Sequence, residues 1–268
     1  MAGIIRDFCR KVLACDELGI AAPRKSQPCL LRWVIDRESE TTMPHHATLQ
    51  QAGYVLLRQA VPHGWLEELR HVFEAGVKPA QQWPVPRASD WRHSQLDCAK
   101  RVQAVCRLPR LLAAVGALIG ERFFLYQVEG RAPVAGGGHQ ALHRDLSMQR
   151  PGDLVGVMVY LDDYGPQNGA TRIVPGSHRP EPGETPFDYS DESRSLHLSG
   201  RAGDALVFDV DLVHAASLNA SGAPRRALLI GYAAEPLQVA LQQTEHLRNV
   251  HMNTQECFEP SDYVFTAP

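Results

Sequence analysis

The chain is 268 residues long, enough to bury a substantial core, and its 44% hydrophobic and 21% charged content excludes a disordered or fibrous protein. Its 27 basic and 30 acidic side chains are interspersed and leave a formal net charge of -3, which gives no electrostatic reason to expect nucleic acid or an anionic membrane as partner. A small-molecule substrate fits that balance better, and a chain without a stretch of membrane-spanning length, with Arg6, Asp7, Arg10 and Lys11 breaking its apolar start, reads as a cytoplasmic protein.

Residues 4–19 set Ile4, Ile5, Phe8, Val12 and Leu13 at helical spacing, which predicts an amphipathic helix used for packing or a dimer contact. The chain is accordingly expected as a monomer or homodimer. Pro23, Pro28 and Pro44 make residues 21–47 an irregular stretch, so that 1–47 forms an amino-terminal extension. Tyr54–Leu57 then forms a short apolar strand, and Pro62 opens a helix carrying Trp65, Leu66, Leu69, Val72 and Phe73. Residues 82–95, polar and rich in tryptophan and proline, read as a loop lying over a pocket. Pro109 begins another helix through Leu111, Leu112, Val115 and Leu118, which Gly120 terminates.

Beyond Arg122 the pattern changes to short β segments at 122–129, 139–145, 154–161, 170–174, 195–198, 204–209 and 225–232. Turn chemistry separates them: Gly136-Gly137-Gly138, Pro151-Gly152, Asn168-Gly169, Pro175-Gly176, Gly200 and Gly222. Short strands at this spacing, with helices gathered in the first half, predict a mainly β fold with flanking helices, a double-stranded β-helix or jelly roll of the cupin-like kind. The expected organisation is one domain over 1–268, with its core at about 52–233 and a carboxy-terminal tail at 234–268. Six cysteines, at 9, 15, 29, 98, 106 and 257, show no C-x-x-C spacing and read as reduced, mostly buried thiols.

His143-Arg144-Asp145 lies where a strand meets a loop, and alternation along an extended chain turns His143 and Asp145 to one face and Arg144 to the other. His214, after the apolar segment Ala205–Phe208, can return on a neighbouring strand. Two imidazoles and a carboxylate make the facial triad that suits Fe(II) and leaves positions open for oxygen. Of the other histidines, His45, His46, His63, His71, His93, His178, His197, His246 and His251 read as surface or packing residues, and His139 as a neighbour of the site. Trp83, Trp91, His93, Tyr126, Leu146 and Met148 are candidates for a pocket lining that read equally as packing, and none is assigned to the site. Arg225-Arg226 heads the apolar segment Ala227–Tyr232; an arginine there seeks a buried anion, either an internal Asp or Glu or a dicarboxylate cosubstrate. Alternation does not choose between the two arginines.

These residues resemble the phytanoyl-CoA dioxygenase superfamily of Fe(II)/2-oxoglutarate-dependent oxygenases over about Ala52 to Ala233. Ala52-Gly53-Tyr54-Val55-Leu56-Leu57 resembles the opening strand, and His143-Arg144-Asp145 the iron-binding H-x-D. Asn168-Gly169 through Pro175-Gly176-Ser177-His178 is similar to the characteristic N-G-x-x-x-x-x-P-G-S-H turn, which makes His178 a turn residue. Gly203–Phe208 followed by His214 resembles the strand and distal ligand. The resemblance implies iron held by His143, Asp145 and His214, with 2-oxoglutarate and O2 as cosubstrates. It selects Arg225, eleven residues past His214, for the far carboxylate of 2-oxoglutarate, and adds Gln140 and Thr171 as further contacts. One departure is Ala216, which stands where many members have serine.

The implied activity is hydroxylation of a small organic metabolite at an unactivated C–H bond, with release of succinate and CO2. Desaturation, epoxidation or ring rearrangement are alternative outcomes of the same chemistry. The carboxylate of Asp145 argues against a halogenase, and the lack of a basic cluster argues against a CoA thioester. A secondary metabolite, amino acid or terpenoid is the expected substrate class. A non-catalytic or differently metallated jelly-roll binding module is the alternative function, and a protein-modifying hydroxylase, which needs an open peptide groove, a third.

Overall fold

A computed structural model describes residues 45–179 and 186–263; the helix expected at 4–19 and most of the irregular stretch after it lie outside the described residues. The described strands are β1 (Tyr54–Leu57), β2 (Val77–Lys78), β3 (Trp91–Ser94), β4 (Phe123–Pro133), β5 (Leu154–Tyr160), β6 (Thr171–Ile173), β7 (Leu196–Leu198), β8 (Ala205–Asp209), β9 (His214–Ala216), β10 (Ala227–Ala234) and β11 (Cys257–Phe258). The helices that flank them are α1 (His45–Ala52), α2 (Leu66–Ala75), α3 (Lys100–Val105), α4 (Pro109–Ile119), α5 (Gln238–Gln243) and α6 (Glu245–Arg248). The larger sheet runs β1-β8-β5-β10-β4-β3-β2 with β11 on β4, and the smaller runs β7-β6-β9; every pairing is antiparallel. This is the expected double-stranded β-helix.

Alternation divides the larger sheet into two faces. On one, Val55, Val128, Val157, Val207 and Ile230 join Leu69 and Phe73 of α2 and Leu111, Leu112 and Val115 of α4 in one apolar cluster. On the other, Met158, Tyr160, Leu206, Phe208 and Leu229 meet Ile173 of β6 between the sheets. The apolar periodicity of α2 and α4 is what directs them onto the first face. Pro109 opens α4 without a donor to waste, and Gly120 closes it at φ 76°, a left-handed position that glycine occupies at little cost.

Several boundaries differ from expectation. Residues 45–47, expected to be irregular, begin α1, and the helix after Pro62 starts with a 3-10 turn at His63–Trp65. The loop expected over 82–95 ends in a strand, β3, paired with β4. The strand expected over 139–145 does not form. Gln140 N–H bonds Ala216 O, but the next bonds link His143 and His214, so three residues on one side span two on the other and the ladder breaks. The strand expected to begin at Arg225 begins at Ala227, after both arginines. Of the described cysteines only Cys106 is buried, its thiol pushed up to about 12 by burial; Cys98 is exposed. Among the described residues, no helix is long and apolar enough to cross a membrane.

Candidate metal centre

The break in the 139–145 ladder is what aims the triad. His143 and His214 are direct cross-chain partners that exchange both backbone hydrogen bonds, His143 N–H to His214 O at 3.0 Å and His214 N–H to His143 O at 2.9 Å. Asp145 N–H then turns to Val210 O at 3.1 Å, bringing its carboxylate over both rings. Asp145 Oδ1 lies 3.9 Å from His143 Nε2, and Oδ2 lies 3.7 Å from His214 Nε2. One ligand atom from each of the three falls within 4.8 Å of the others, the only such group of His, Cys, Asp and Glu among the described residues.

The second nitrogen of each ring decides what the first can do. His143 Nδ1 is 2.8 Å from Ala141 O and His214 Nδ1 is 2.9 Å from Leu212 O. A carbonyl only accepts, so each Nδ1 carries the proton and each Nε2 keeps a lone pair directed at Asp145. Burial, and then the neighbouring His214 imidazole, holds His143 below its ordinary pKa, in the neutral form a metal needs. This set of two imidazole nitrogens and one carboxylate fits a divalent iron ion.

Arg144, between the two ligands, points away as alternation requires: its Nη2 donates to Ser177 O at 2.6 Å. Ser177 Oγ in turn accepts Val213 N–H at 2.8 Å, one residue before His214, and donates to Val174 O. The Pro175-Gly176-Ser177-His178 turn thus braces both ligand segments at once. His178 itself lies in the turn against Gly53, where a Cβ would come within 2.5 Å of its ring; Gly53, at φ 78°, is the residue that admits this contact.

The two arginines separate cleanly. Arg226 N–H and Nε bond Asp162 Oδ2 at 2.8 and 2.9 Å, its Nη2 reaches Asp162 Oδ1 at 2.7 Å, and its Nη1 reaches Glu74 at 3.2 Å. The internal salt bridge belongs to it. Arg225 is 3% exposed and no carboxylate pairs with it among the described residues. Its guanidinium lies over the rings of Tyr164 at 4.6 Å and Trp91 at 5.6 Å, its Nη2 is 3.3 Å from Thr171 Oγ1, and its Nε has no partner. Gly169, whose Cβ would stand 2.9 Å from Ser217 O, keeps the turn beside it narrow.

Thr171 and Gln140 flank Ala216 from opposite sides. Thr171 is its register partner across β6 and β9, and Gln140 Oε1 accepts Ala216 N–H at 3.1 Å. His139 is exposed rather than in the site. Leu146, at φ 65°, is 43% exposed. What sequence reasoning missed is the polar group that Arg87, Glu129 and Arg131 form on β4 and the segment before β3, beside His93, which it names only as a candidate for the pocket lining. A signal existed in the alternation of Gln127, Glu129 and Arg131 with Val128, Gly130 and Ala132, a polar face that points inward instead of to solvent.

The family model of phytanoyl-CoA dioxygenase (PhyH) matches residues 49–227. The chain belongs to this family. Among curated relatives, this PhyH member is 38% identical over 105 residues to dioxygenase cdmA of Talaromyces verruculosus, covering 34% of the chain and 33% of that protein. It is 29% identical over 171 residues to L-proline trans-4-hydroxylase of Streptomyces griseoviridis, covering 50% of the chain and 62% of that protein. The first fungal relatives are therefore matched over about a third of their length. Among solved structures, HygX from Streptomyces hygroscopicus with nickel, 2-oxoglutarate and hygromycin B bound superposes with a TM-score of 0.59 at 18% identity, over 83% of this chain and 100% of that one. The epimerase SnoN in complex with Fe3+, alpha ketoglutarate and nogalamycin RO gives 0.56 at 20% identity, over 70% and 82%. At these identities the likeness is one of fold, and the fold is the one described above.

Proposed function

We propose that this PhyH protein is an Fe(II)/2-oxoglutarate-dependent dioxygenase that hydroxylates a small organic metabolite at an unactivated C–H bond, as one oxygenase domain with its catalytic core at about 52–233. The observation that carries this reading is the coincidence of three ligand atoms within 4.8 Å and a buried Arg225 without a carboxylate partner among the described residues. A metal site together with a buried arginine is what a keto acid with a second carboxylate requires.

His143, Asp145 and His214 would hold the ion, since two imidazole nitrogens and one carboxylate are the donor set that suits Fe(II). Bound there, iron and 2-oxoglutarate supply the oxidising chemistry, with succinate and CO2 as the products of the cosubstrate. Arg225 binds the far carboxylate, with Thr171 Oγ1 beside it, and Gln140 fixes the segment between that socket and His143. Arg225 and Thr171 are buried, which strengthens their contacts with a bound carboxylate, while His143 and Asp145 keep 23% and 32% of their side chains exposed on the side from which ligands enter. Names of relatives and neighbours that pair such proteins with proline, hygromycin B or a nogalamycin support a small metabolite as substrate and a place in secondary metabolism. A cytoplasmic location and a monomeric or homodimeric state are part of the same reading.

The test is succinate formation from 2-oxoglutarate and oxygen, dependent on added Fe(II) and stimulated by the right member of a metabolite panel. Asp145→Ala is expected to abolish it. Normal turnover in that variant would remove the iron assignment, and 2-oxoglutarate binding without any succinate would leave a binding module.

A further inference from the structure

Between the sheets most side chains are apolar, but the inner face of β4 is not. Glu129, 2% exposed, is held by Arg87 Nη2 at 2.9 Å and Arg131 Nη2 at 2.6 Å. His93 stands directly opposite Arg131 in the β3–β4 register and is 4% exposed. One carboxylate between two guanidinium groups leaves a net positive charge in a buried place, where a single arginine would have balanced it. Burial, and then the Arg131 charge, pushes His93 down to about 4, so it adds no charge of its own.

The cluster is also incomplete in its hydrogen bonds. Trp83 Nε1, Arg87 Nε, Arg131 Nε and both ring nitrogens of His93 are buried without a partner. The first three are donors only, and neutral His93 offers one donor and one acceptor. A native interior seldom leaves such groups unmade, since each costs the full desolvation of a polar atom. The chemistry that completes a donor-rich, positively charged wall is an acceptor-rich anion.

Two contacts put this wall beside the proposed active site. The Trp91 ring lies under Arg131 at 5.7 Å and under Arg225 at 5.6 Å, so the two guanidinium groups share one aromatic partner. Arg131 is also the register partner of Ala227 on β10, two residues past Arg225. Arg131 keeps 16% of its side chain exposed, against 6% for Arg87 and 2% for Glu129. It is the member a ligand meets first.

We propose that Arg131, with His93 beside it and Arg87 and Glu129 fixing it from behind, is a substrate-recognition subsite, and that the substrate is a metabolite bearing a carboxylate. This rests on the reading of the neighbouring triad as an Fe(II)/2-oxoglutarate site. The carboxylate anchors one end of the substrate at β3–β4, and the carbon to be oxidised faces the triad. Specificity then comes from an anion that is distinct from 2-oxoglutarate and binds together with it.

The experiment is a calorimetric titration of the full chain loaded with Mn(II), which replaces iron without oxidative turnover. The first ligand is 2-oxoglutarate; no binding at that step marks failure of the site reading itself and takes the proposal with it. With 2-oxoglutarate saturating, phenylacetate and cyclohexanecarboxylate are compared with phenylacetamide and cyclohexanecarboxamide. The acids are expected to bind about ten- to a hundredfold more tightly than their amides, the range of a charge-assisted hydrogen bond. Arg131→Gln is expected to remove that preference. Because it leaves Glu129 with one partner, the Glu129→Gln/Arg131→Gln double variant, which removes both charges, is measured beside it. Equal binding of acid and amide, acids that displace 2-oxoglutarate instead of joining it, or a preference that survives in either folded variant would overturn the proposal.

Discussion

The two faces of the larger sheet are made by the same strands, residue by alternate residue, yet they do opposite work. Val128 and Ala132 pack among the helices in the continuous apolar cluster, while Glu129 and Arg131 carry buried charge on the inner face. The helical face gains from every methylene it removes from water. On the inner face, by contrast, buried charges and unpartnered donors cost stability and are tolerated where a ligand completes them. Stability and chemistry are therefore separated by a single residue step along β4, and a substitution should disturb one or the other according to its parity.

The largest effect expected on the helical side is that of Phe73→Ala. Phe73 is fully buried in the apolar cluster, and its ring packs against Gly130 on β4, where a Cβ would come within 2.8 Å of it. Removing the ring should cost about 3–5 kcal/mol, read by urea denaturation. The folded fraction should keep the wild-type KM for 2-oxoglutarate; a KM that moved with stability would break the separation of the faces.

This division also explains what could be read from the sequence. The apolar face was legible, since α4 follows from Pro109, its leucines and Gly120, and β1, β5 and β8 follow from short apolar runs between turns. The triad was legible because a two-residue spacing and a familiar turn survive as local pattern. β3 was not legible: Trp91-Arg92-His93-Ser94 lacks the apolar alternation of a strand because its inward residues belong to a polar wall. Alternation did not tell the two arginines apart, and only the spacing in the family resemblance selected Arg225; the physical reason lies in Asp162 and Glu74, distant in sequence, which occupy Arg226. Local pattern encodes the face that packs; the inner face depends on long-range partners.

Asp209 sharpens the comparison by pH. It is 1% exposed, and burial raises its carboxyl from 3.8 to about 6, with Asp211 and Asp153 adding to the rise against the Asp211 N–H bond and the Arg179 charge. The folded state thus holds a proton that the unfolded chain has lost, so between these two values stability falls as pH rises, and it is flat above about 6. Asp209→Asn keeps an acceptor for Asp211 N–H and should gain stability at pH 7 relative to wild type, by up to roughly 3 kcal/mol, with little gain at pH 4. Melting curves of both proteins at the two pH values decide it, and an equal difference at both would show that Asp209 is not held protonated.

Arg225→Gln tests the inner face in the opposite sense. Losing the charge-assisted contact should raise the KM for 2-oxoglutarate about ten- to a hundredfold. Because a buried, uncompensated charge is removed, the ligand-free protein should melt no lower than wild type. A protein that lost stability in proportion to affinity would show that Arg225 is structural.

Tyr232→Phe carries the smallest effect and the narrowest test. Tyr232 is fully buried on the helical side of β10, edge-on to Phe123 at 6.0 Å, and its hydroxyl donates to Cys106 O at 2.6 Å. Phenylalanine keeps the ring and its packing and removes one hydrogen bond, so stability should fall by about 1 kcal/mol. Its neighbour Gly231 lies on the other side of the same strand, where a Cβ would stand 2.5 Å from the Tyr126 ring. If the faces are independent, the change leaves both kinetic constants for 2-oxoglutarate untouched although it sits one residue from that contact. A kinetic effect of such a small deletion would mean that β10 transmits strain across its own width, and parity along a strand would no longer predict which property a substitution changes.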